Sequence, residues 1–259
     1  MAYTPSITTA KRFVNPYTVD QPVLSSNAPF TPASISNLVT WFKGDAGLTS
    51  SSWTNYGTNA TNATLNNVAV TTVNGLSACA FKSAASYGVF NMTVGSDSRS
   101  IFYVFASLSP LINGTTLQII AQSNNGFYGG FSVNGTTTGE TFMLISYGQA
   151  VEIYNTTPLN FTTTAFNTVG MSWDTSGSSS TSNYIYVNGS NLPVTWSADA
   201  GFYDYGLSVP TYMVGSSVGG TPTSSYGFTL CEMLVYGKAL SRTDGSNVQS
   251  YLRSKWGTP

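Results

Sequence analysis

Ten carboxylates are the side chains of this 259-residue sequence best suited to acid–base chemistry. A retaining glycosidase needs two carboxyl groups about 5 Å apart, which acids at positions i and i+2 or i+4 of one strand would supply. No two acids have that spacing, and Asp199 and Asp204 are the closest pair. The ten are Asp20, Asp45, Asp97, Glu140, Glu152, Asp174, Asp199, Asp204, Glu232 and Asp244. We therefore predict no catalytic residue and no enzymatic activity.

Metal chemistry is limited by the lack of histidine. Without histidine, Ser-His-Asp and Cys-His nucleophiles are excluded and a transition-metal site is disfavoured. Calcium stays open because it takes oxygen ligands, and Asp199 and Asp204 with nearby backbone carbonyls are the candidate ligands. Aspartates in loops are more often turn caps, however. We predict no other cofactor.

Tyrosines in predicted glycine-containing loops are candidate contacts for a glycan. An aromatic ring packs on the apolar face of a pyranose while neighbouring polar groups bind its hydroxyls. The candidates are Tyr128, Tyr147, Tyr203, Tyr205 and Tyr226. Aromatic residues of β-sandwiches more often fill the core, and we expect this of Trp41, Trp173 and Trp256.

Three other acids have structural explanations. Glu232 lies inside a strongly apolar run, so it either faces solvent or has a partner, because a buried unpaired carboxylate costs several kcal/mol. We interpret it as a hydrogen-bond anchor. Asp45 and Asp174 follow predicted strands, where capping of a turn explains them best.

Short runs rich in Val, Ile, Phe, Tyr and Thr, bounded by Gly, Asn, Pro or Ser, are typical of strands. They are predicted at 38–42, 77–81, 100–108, 117–121, 130–133, 141–146, 151–154, 168–173, 184–187, 212–215 and 228–236. Asn-Gly steps at 74–75, 134–135 and 188–189 predict hairpin turns. Crossover helices are lacking, which excludes a parallel α/β fold. The sequence predicts an all-β sandwich of two packed antiparallel sheets.

The two ends of the chain differ from this strand-rich body. Residues 1–34 contain five prolines, which disfavour helix and central strand, so we predict an extended arm followed by one domain at 35–259. Six apolar side chains favour a strap that orders against a partner over a disordered tail: Phe13, Val14, Tyr17, Val23, Leu24 and Phe30. Thr31 before Pro32 predicts a short helical turn. A C-terminal helix is predicted with Ser241 and Asp244 as a variant capping box, an apolar face of Val248, Tyr251, Leu252 and Trp256, and an end at Gly257.

The amino-acid composition of the chain limits the classes of partner that it is expected to bind. Nine basic and ten acidic residues give a net charge of −1, which offers no electrostatic footprint for nucleic acid or an anionic membrane. No apolar run reaches the roughly 18 residues of a membrane span, and the first residues lack the apolar core of a signal peptide. Cys79 and Cys231 lie in apolar runs, which favours two buried thiols and leaves a single bridge open.

Several motifs occur in a characteristic order. They are ISNLVTWFKGD at 35–45, VGMSWD at 169–174, YIYVNG at 184–189, CEMLVYGKALS at 231–241 and YLRSKWG at 251–257. Over most of residues 33–257 this order resembles the concanavalin A-like lectin/glucanase superfamily in its laminin-G-like form. The resemblance implies a jelly roll of two antiparallel sheets, a fold that lectins, hydrolases and structural domains share. The clustered acidic strand motif of the hydrolase members is absent.

Domains with this closing sequence, on a chain rich in Ser, Thr and Asn, also resemble structural proteins of large DNA viruses and phages. The resemblance implies a virion structural protein, namely a minor capsid, penton-associated or fibre-like component anchored through its arm. Its expected location is the particle, and its expected partners are other capsid or virion proteins and further copies of itself. The alternative function is a lectin-like module that binds host glycans during attachment.

Overall fold

The computed structural model describes residues 29–59, 61–82, 85–91, 99–107, 120–122, 128–136, 139–146, 149–154, 166–173, 184–192, 211–214 and 227–259. Within these ranges the chain forms a 3₁₀ turn at Pro32–Ser34, one α-helix, α1, at Arg242–Trp256, and sixteen strands. The strands are β1 (Leu38–Phe42), β2 (Ser52–Trp53), β3 (Ala63–Asn66), β4 (Ala69–Val73), β5 (Leu76–Phe81), β6 (Tyr87–Asn91), β7 (Arg99–Ser107), β8 (Ile120–Gln122), β9 (Tyr128–Thr136), β10 (Gly139–Ser146), β11 (Gln149–Tyr154), β12 (Asn167–Trp173), β13 (Tyr184–Val187), β14 (Ser190–Leu192), β15 (Thr211–Val214) and β16 (Phe228–Tyr236).

The strands pair into three sheets within the described ranges. The largest has eight strands in the order β14-β13-β12-β7-β16-β5-β4, and β1 also pairs with β16. A five-stranded sheet has the order β2-β3-β6-β15-β8, and a three-stranded sheet the order β11-β10-β9. The pairings of these described strands are antiparallel. The prediction of an antiparallel all-β fold is confirmed.

The eight-stranded and five-stranded sheets pack face to face through aromatic side chains. Phe42 on β1 lies 5.7 Å from Trp53 on β2 and 4.8 Å from Phe90 on β6, measured between ring centroids. All three side chains are buried. Aromatic pairs at such distances add to the stabilisation that apolar burial provides. These contacts join the two layers of a β-sandwich, as predicted.

Helix α1 covers the other face of the eight-stranded sheet. Its buried residues Val248, Leu252 and Trp256 belong to one core cluster with Phe102 on β7 and Leu234 on β16. Because β16 has a sheet on one face and a helix on the other, all nine of its residues are buried. A strand covered on both faces loses the usual alternation of apolar and polar residues.

Both caps of α1 lie where the sequence predicts them. The N–H of Asp244 donates to Ser241 Oγ at 3.1 Å, and the Ser241 hydroxyl donates to the Asp244 carboxylate at 2.9 Å. Gly257 has a φ of 63° and donates its N–H to the carbonyl of Arg253 at 2.8 Å. Glycine adopts this left-handed conformation without a Cβ penalty. The first turn is also capped as predicted, since Ala33 N–H donates to Thr31 Oγ1 at 3.2 Å.

Two of the three predicted Asn-Gly turns are confirmed. Asn74-Gly75 joins β4 to β5, and Asn188-Gly189 joins β13 to β14, with positive φ at all four residues. The third prediction is wrong, because Asn134 and Gly135 lie inside β9 and pair with Thr141 and Glu140 on β10. Continued pairing with β10 carries β9 through the dipeptide to Thr136, one residue beyond the predicted turn.

Five strands have no predicted counterpart, namely β2, β3, β4, β6 and β14. They are two to five residues long, and most are rich in Ser, Thr or Asn, so their own composition signals a strand weakly. Pairing with stronger neighbours defines them. Among the described residues, no helix is long and apolar enough to cross a membrane.

The predicted core residues are buried where their side chains are described. Trp41 and Trp256 are buried, as expected, whereas the side chain of Trp173 lies outside the described set. Cys79 and Cys231 are buried free thiols, so the bridge that the sequence left open is not formed. Burial raises the pKa of the Cys79 thiol to about 12, which keeps it protonated and unreactive.

Candidate functional site

Most of the predicted site residues fall outside the described ranges. These are Tyr147, Tyr203, Tyr205 and Tyr226, the calcium candidates Asp199 and Asp204, the arm residues Phe13, Val14, Tyr17, Val23 and Leu24, and Asp174. Tyr128 lies in β9, and its side chain is not described. The glycan, calcium and arm assignments at these positions stay predictions. Among the residues that the structure does describe, no cluster of three or more His, Cys, Asp or Glu side chains could hold a metal ion.

A fully buried carboxylate, Glu232 on β16, lies at the centre of a polar cluster. Its Oε1 accepts a hydrogen bond from Trp41 Nε1 at 2.7 Å. Its Oε2 accepts from Trp256 Nε1 at 2.9 Å and from Lys255 Nζ at 2.7 Å. These partners offset the cost of burying the charge. The interpretation of Glu232 as a structural anchor is confirmed.

Lys255 connects this buried carboxylate to the surface. Its Nζ also donates to Asp45 Oδ1 at 2.9 Å and lies 3.4 Å from the hydroxyl of Tyr251. The side chains of Lys255 and Asp45 are 13% and 45% exposed. Because an ammonium has three N–H donors, the protein supplies an oxygen for each of them. We refer to Glu232, Lys255, Asp45, Trp41 and Trp256 as the charged centre.

The contacts of the charged centre stabilise the ionised forms of Asp45 and Lys255. Partial burial would raise the pKa of Asp45, but the hydrogen bond and the positive charge of Lys255 hold that pKa below its usual value. Burial would lower the pKa of Lys255, but the charge of Glu232 and the hydrogen bonds to Glu232 and Asp45 raise it above its usual value. Both shifts favour charged side chains at neutral pH.

An open groove lies beside the charged centre, between α1 and the residues that precede the 3₁₀ turn. It has a volume of about 560 Å³ and is lined by Pro29, Phe30, Thr31, Asn247, Ser250, Tyr251, Ser254 and Lys255. This volume lies within the range of small-molecule sites, roughly 300–1,000 Å³. We refer to it as the α1 groove.

One face of α1 supplies most of the groove. Asn247, Ser250, Tyr251 and Ser254 follow the i, i+3, i+4, i+7 spacing that places side chains on the same side of a helix. The three polar members are exposed, and Tyr251 is half-buried between them and the core face. The groove therefore offers amide and hydroxyl groups next to an aromatic ring.

Phe30 forms the facing wall. Its ring lies 6.4 Å from that of Tyr251 in an edge-on contact, and Tyr251 in turn lies 6.2 Å from Trp41. The Tyr236 hydroxyl donates to the carbonyl of Pro32 at 3.1 Å, which ties the adjacent turn to β16. The last residues of the predicted arm thus have a fixed place on the domain.

An exposed aromatic residue, Tyr56, lies beneath the ammonium of Lys43. Its side chain is 42% exposed, and the Nζ of Lys43 lies 4.0 Å above its ring. The same ammonium lies 4.7 Å from the Trp41 ring. Lys43 is therefore positioned by aromatic faces and does not line the α1 groove.

The arrangement suits binding better than catalysis. Glycoside hydrolysis needs one protonated carboxyl group beside an ionised one. Here Lys255 lies between Asp45 and Glu232, and its charge favours the ionised form of the exposed partner, Asp45. The α1 groove, by contrast, presents aromatic surface beside hydroxyl and amide groups, a combination that holds ligands with both apolar and polar faces.

Sequence reasoning did not identify the α1 groove. The sequence pattern is that of an ordinary solvated helix face at Asn247, Ser250 and Ser254. It predicts Tyr251 on the apolar face. The feature of the sequence that could have indicated the groove is the lack of charged residues at positions 247, 250, 251 and 254, since exposed helix faces usually carry Lys or Glu. That signal does not indicate that Phe30 lies opposite.

No protein-family model matches the chain, and a search of curated proteins finds no match. Solved structures do resemble it. The binding domain of botulinum neurotoxin DC in complex with SialylT has 11% identity and a TM-score of 0.61, over 86% of this chain and 55% of that one. A structure of botulinum neurotoxin type C, whose passage into cells is described as dependent on two ganglioside molecules, has 11% identity and a TM-score of 0.61, over 86% and 53%. The binding domain of Paraclostridial mosquitocidal protein 1 has 14% identity and a TM-score of 0.57, over 86% and 55%.

These likenesses concern the fold. At 11–14% identity they show a shared β-sandwich architecture, which agrees with the jelly-roll-like fold predicted from the motifs. The chain spans little more than half the length of the structures that it resembles. Membership of the concanavalin A-like superfamily stays a prediction.

Proposed function

We propose that this domain is a non-enzymatic glycan-binding module that attaches its carrier to a carbohydrate-bearing surface, with the glycan in the α1 groove. The observation that carries the proposal is the composition of the groove. Phe30 and Tyr251 provide aromatic surface for the apolar face of a sugar ring. The amide of Asn247 and the hydroxyl of Ser254 provide donors and acceptors for its hydroxyls. The Ser250 hydroxyl donates to the Ser246 carbonyl at 2.9 Å and provides an acceptor.

The similar structures support the same function class. They include binding domains of a botulinum neurotoxin and of a mosquitocidal protein, and two of the descriptions name SialylT and ganglioside molecules. A fold alone does not determine a function. The groove therefore provides the argument specific to this chain, and the similar structures raise the expectation that the ligand is a glycan.

A panel of oligosaccharides tests the proposal, with titration calorimetry on each glycan that binds. The test variant is the double substitution Asn247→Ala with Ser254→Ala, and the matched control is Ser246→Ala on the exposed part of the same helix. Losing two hydrogen bonds of about 0.5–1.5 kcal/mol each should weaken binding about tenfold. The control should bind like the wild type, and alanine should not disturb the helix.

Two results would contradict the proposal. One is the absence of saturable binding across the panel, with and without calcium. The other is binding that the double substitution leaves unchanged, which would move the glycan away from the α1 groove. The predicted loop tyrosines, Tyr128, Tyr147, Tyr203, Tyr205 and Tyr226, would then be the next positions to substitute.

We further propose that the carrier is a virus particle, in which the module is a surface or capsid-associated component held by residues 1–34. This second role is supported by the sequence, in which residues 1–34 are predicted as an arm and the closing motif at 231–241 resembles structural proteins of large DNA viruses and phages. Removing residues 1–28 should abolish incorporation into particles and leave glycan binding intact. Retained incorporation would refute the anchoring role.

A further inference from the structure

The charged side chain that lines the α1 groove is paired with two carboxylates of the protein. Among its described lining residues the groove contains one formal charge, the ammonium of Lys255. That ammonium lies 2.7 Å from Glu232 Oε2 and 2.9 Å from Asp45 Oδ1. One positive charge is thus bound to two negative ones within the protein.

The hydrogen-bonding capacity of Lys255 is also used internally. Its third short contact is the Tyr251 hydroxyl at 3.4 Å, so the protein provides an oxygen for each of its three donors. An incoming carboxylate would have to replace one of these oxygens, and even in place of the Tyr251 hydroxyl it would share the ammonium with the two carboxylates already bound there. Glu232 is fully buried, and leaving it without its cation would be costly.

The remaining polar groups of the groove are uncharged. Asn247, Ser250, Ser254 and Thr31 bear amide and hydroxyl groups, which both donate and accept hydrogen bonds, as sugar hydroxyls do. Asp45 is not among the described lining residues, but its Oδ1 lies 2.9 Å from the Lys255 ammonium that lines the groove. Lys43 does not line the groove; its ammonium lies over the rings of Trp41 and Tyr56, and its charge helps to hold the pKa of Asp45 below its usual value.

We infer that the α1 groove selects uncharged, hydroxyl-rich glycans and discriminates against glycans that carry a carboxylate, such as sialylated ones. The inference rests on the proposed function and specifies its ligand class. It assigns to Asp45 the role of a specificity-determining residue, because Asp45 both neutralises Lys255 and repels a second anion.

Matched pairs of oligosaccharides test this inference, each pair sharing one core with and without a terminal sialic acid. For the wild type, the neutral member should bind at least about fivefold more tightly, the factor expected for like charges about 4 Å apart in bulk water. Asp45→Asn keeps the side-chain shape and the Lys255–Glu232 pair. It should improve the sialylated member several-fold and change the neutral member less than twofold.

The outcomes separate this inference from the proposed function. If no member of any pair binds, the proposed function fails. If neutral members bind and their sialylated partners bind as tightly or more tightly, the function stands and the selectivity is refuted. An unchanged ratio in Asp45→Asn, with an unfolding midpoint like that of the wild type, would refute the role of Asp45.

Discussion

Glu232 ties three elements of the domain together, because it lies on β16 and its partners come from β1 and α1. In Glu232→Gln the amide retains one acceptor oxygen and directs an NH₂ group at donors, while Lys255 keeps Asp45 as its carboxylate partner. Breaking a buried pair from one side typically costs about 3–5 kcal/mol. We expect a loss of that order in the free energy of unfolding, measured by urea denaturation.

Asp45→Asn is the matched control for this substitution. It removes the other carboxylate of Lys255, at a site that is 45% exposed. Solvent-exposed ion pairs contribute about 0–1 kcal/mol, so the expected loss is small. Equal losses in the two variants would show that Glu232 is not the anchor of the charged centre.

Lys255 of the charged centre and its neighbour Tyr251 predict that the domain loses stability at alkaline pH. The folded-state pKa of Lys255 is raised above its usual 10.5, and that of Tyr251 is raised to about 12, chiefly by burial and next by the charge of Glu232. For a raised pKa, the unfolded state loses its proton first, so stability is present below the unfolded pKa and is lost as pH rises through the folded one. We expect the free energy of unfolding to decline above about pH 10.

Tyr251→Phe should reduce this alkaline decline, because it removes one of the groups that titrate. The comparison variant is Tyr56→Phe, which removes the same hydroxyl from an exposed tyrosine outside the α1 groove. The measurement is urea unfolding at a series of pH values from 8 to 12. A stability profile that stays flat over this range would contradict the account.

For Glu232, the sequence predicts that the carboxylate needs a partner but does not indicate which residues provide it. An acid in the apolar run of β16 requires a partner, and this follows from the cost of desolvation. The partners Trp41 and Trp256 lie 191 and 24 residues away, so their approach depends on the packing of α1 over β1 and β16. Pairings at such separations are fixed by the fold and leave no local pattern.

Helix α1 packs on the sheet closely enough to require a glycine. A Cβ at Gly245 would lie 2.6–2.9 Å from the Tyr186 ring and hydroxyl, nearer than such atoms approach in proteins. In a free helix, alanine would be favoured over glycine by about 1 kcal/mol. We expect Gly245→Ala to destabilise the domain instead, seen as a lower urea midpoint.

Ser246→Ala provides the comparison on the next residue. Ser246 is exposed, so the higher helix propensity of alanine should keep the urea midpoint the same or raise it slightly. If Gly245→Ala also raised the midpoint, the close approach of α1 to β13 would be disproved.

Elements that depend on a few adjacent residues are predicted correctly from the sequence, whereas elements that depend on pairing with distant residues are not. The caps of α1 and the turns at 74–75 and 188–189 are confirmed because each depends on a few adjacent residues. The turn expected at 134–135 is wrong, and β2, β3 and β14 lack a strong pattern, because pairing with a neighbour decides these cases. The α1 groove combines a local stripe with Phe30 more than 200 residues earlier in the chain, so the sequence indicated one wall at most.

At the scale of the whole molecule, the described domain has its own core, and α1 closes one face of it. Removal of residues 1–28 should therefore change the free energy of unfolding by less than about 1 kcal/mol, since the described core residues lie between Ile35 and Trp256. Phe30→Ala in the full chain should cost about 0.5–1.5 kcal/mol, the typical value of an aromatic pair. Thermal and urea unfolding of the two proteins provide the check. A truncated chain that fails to fold would show that the domain begins before Pro29.

The most direct test of the account is to map the bound glycan by amide chemical shifts in nuclear magnetic resonance. The wild-type protein would be titrated with the tightest neutral oligosaccharide from the panel. We predict that the largest shifts occur at residues 247–255 of α1 and at Phe30 and Thr31. Shifts confined to the regions of Tyr147, Tyr203, Tyr205 and Tyr226, or none at saturating glycan, would contradict the assignment of the α1 groove as the binding site.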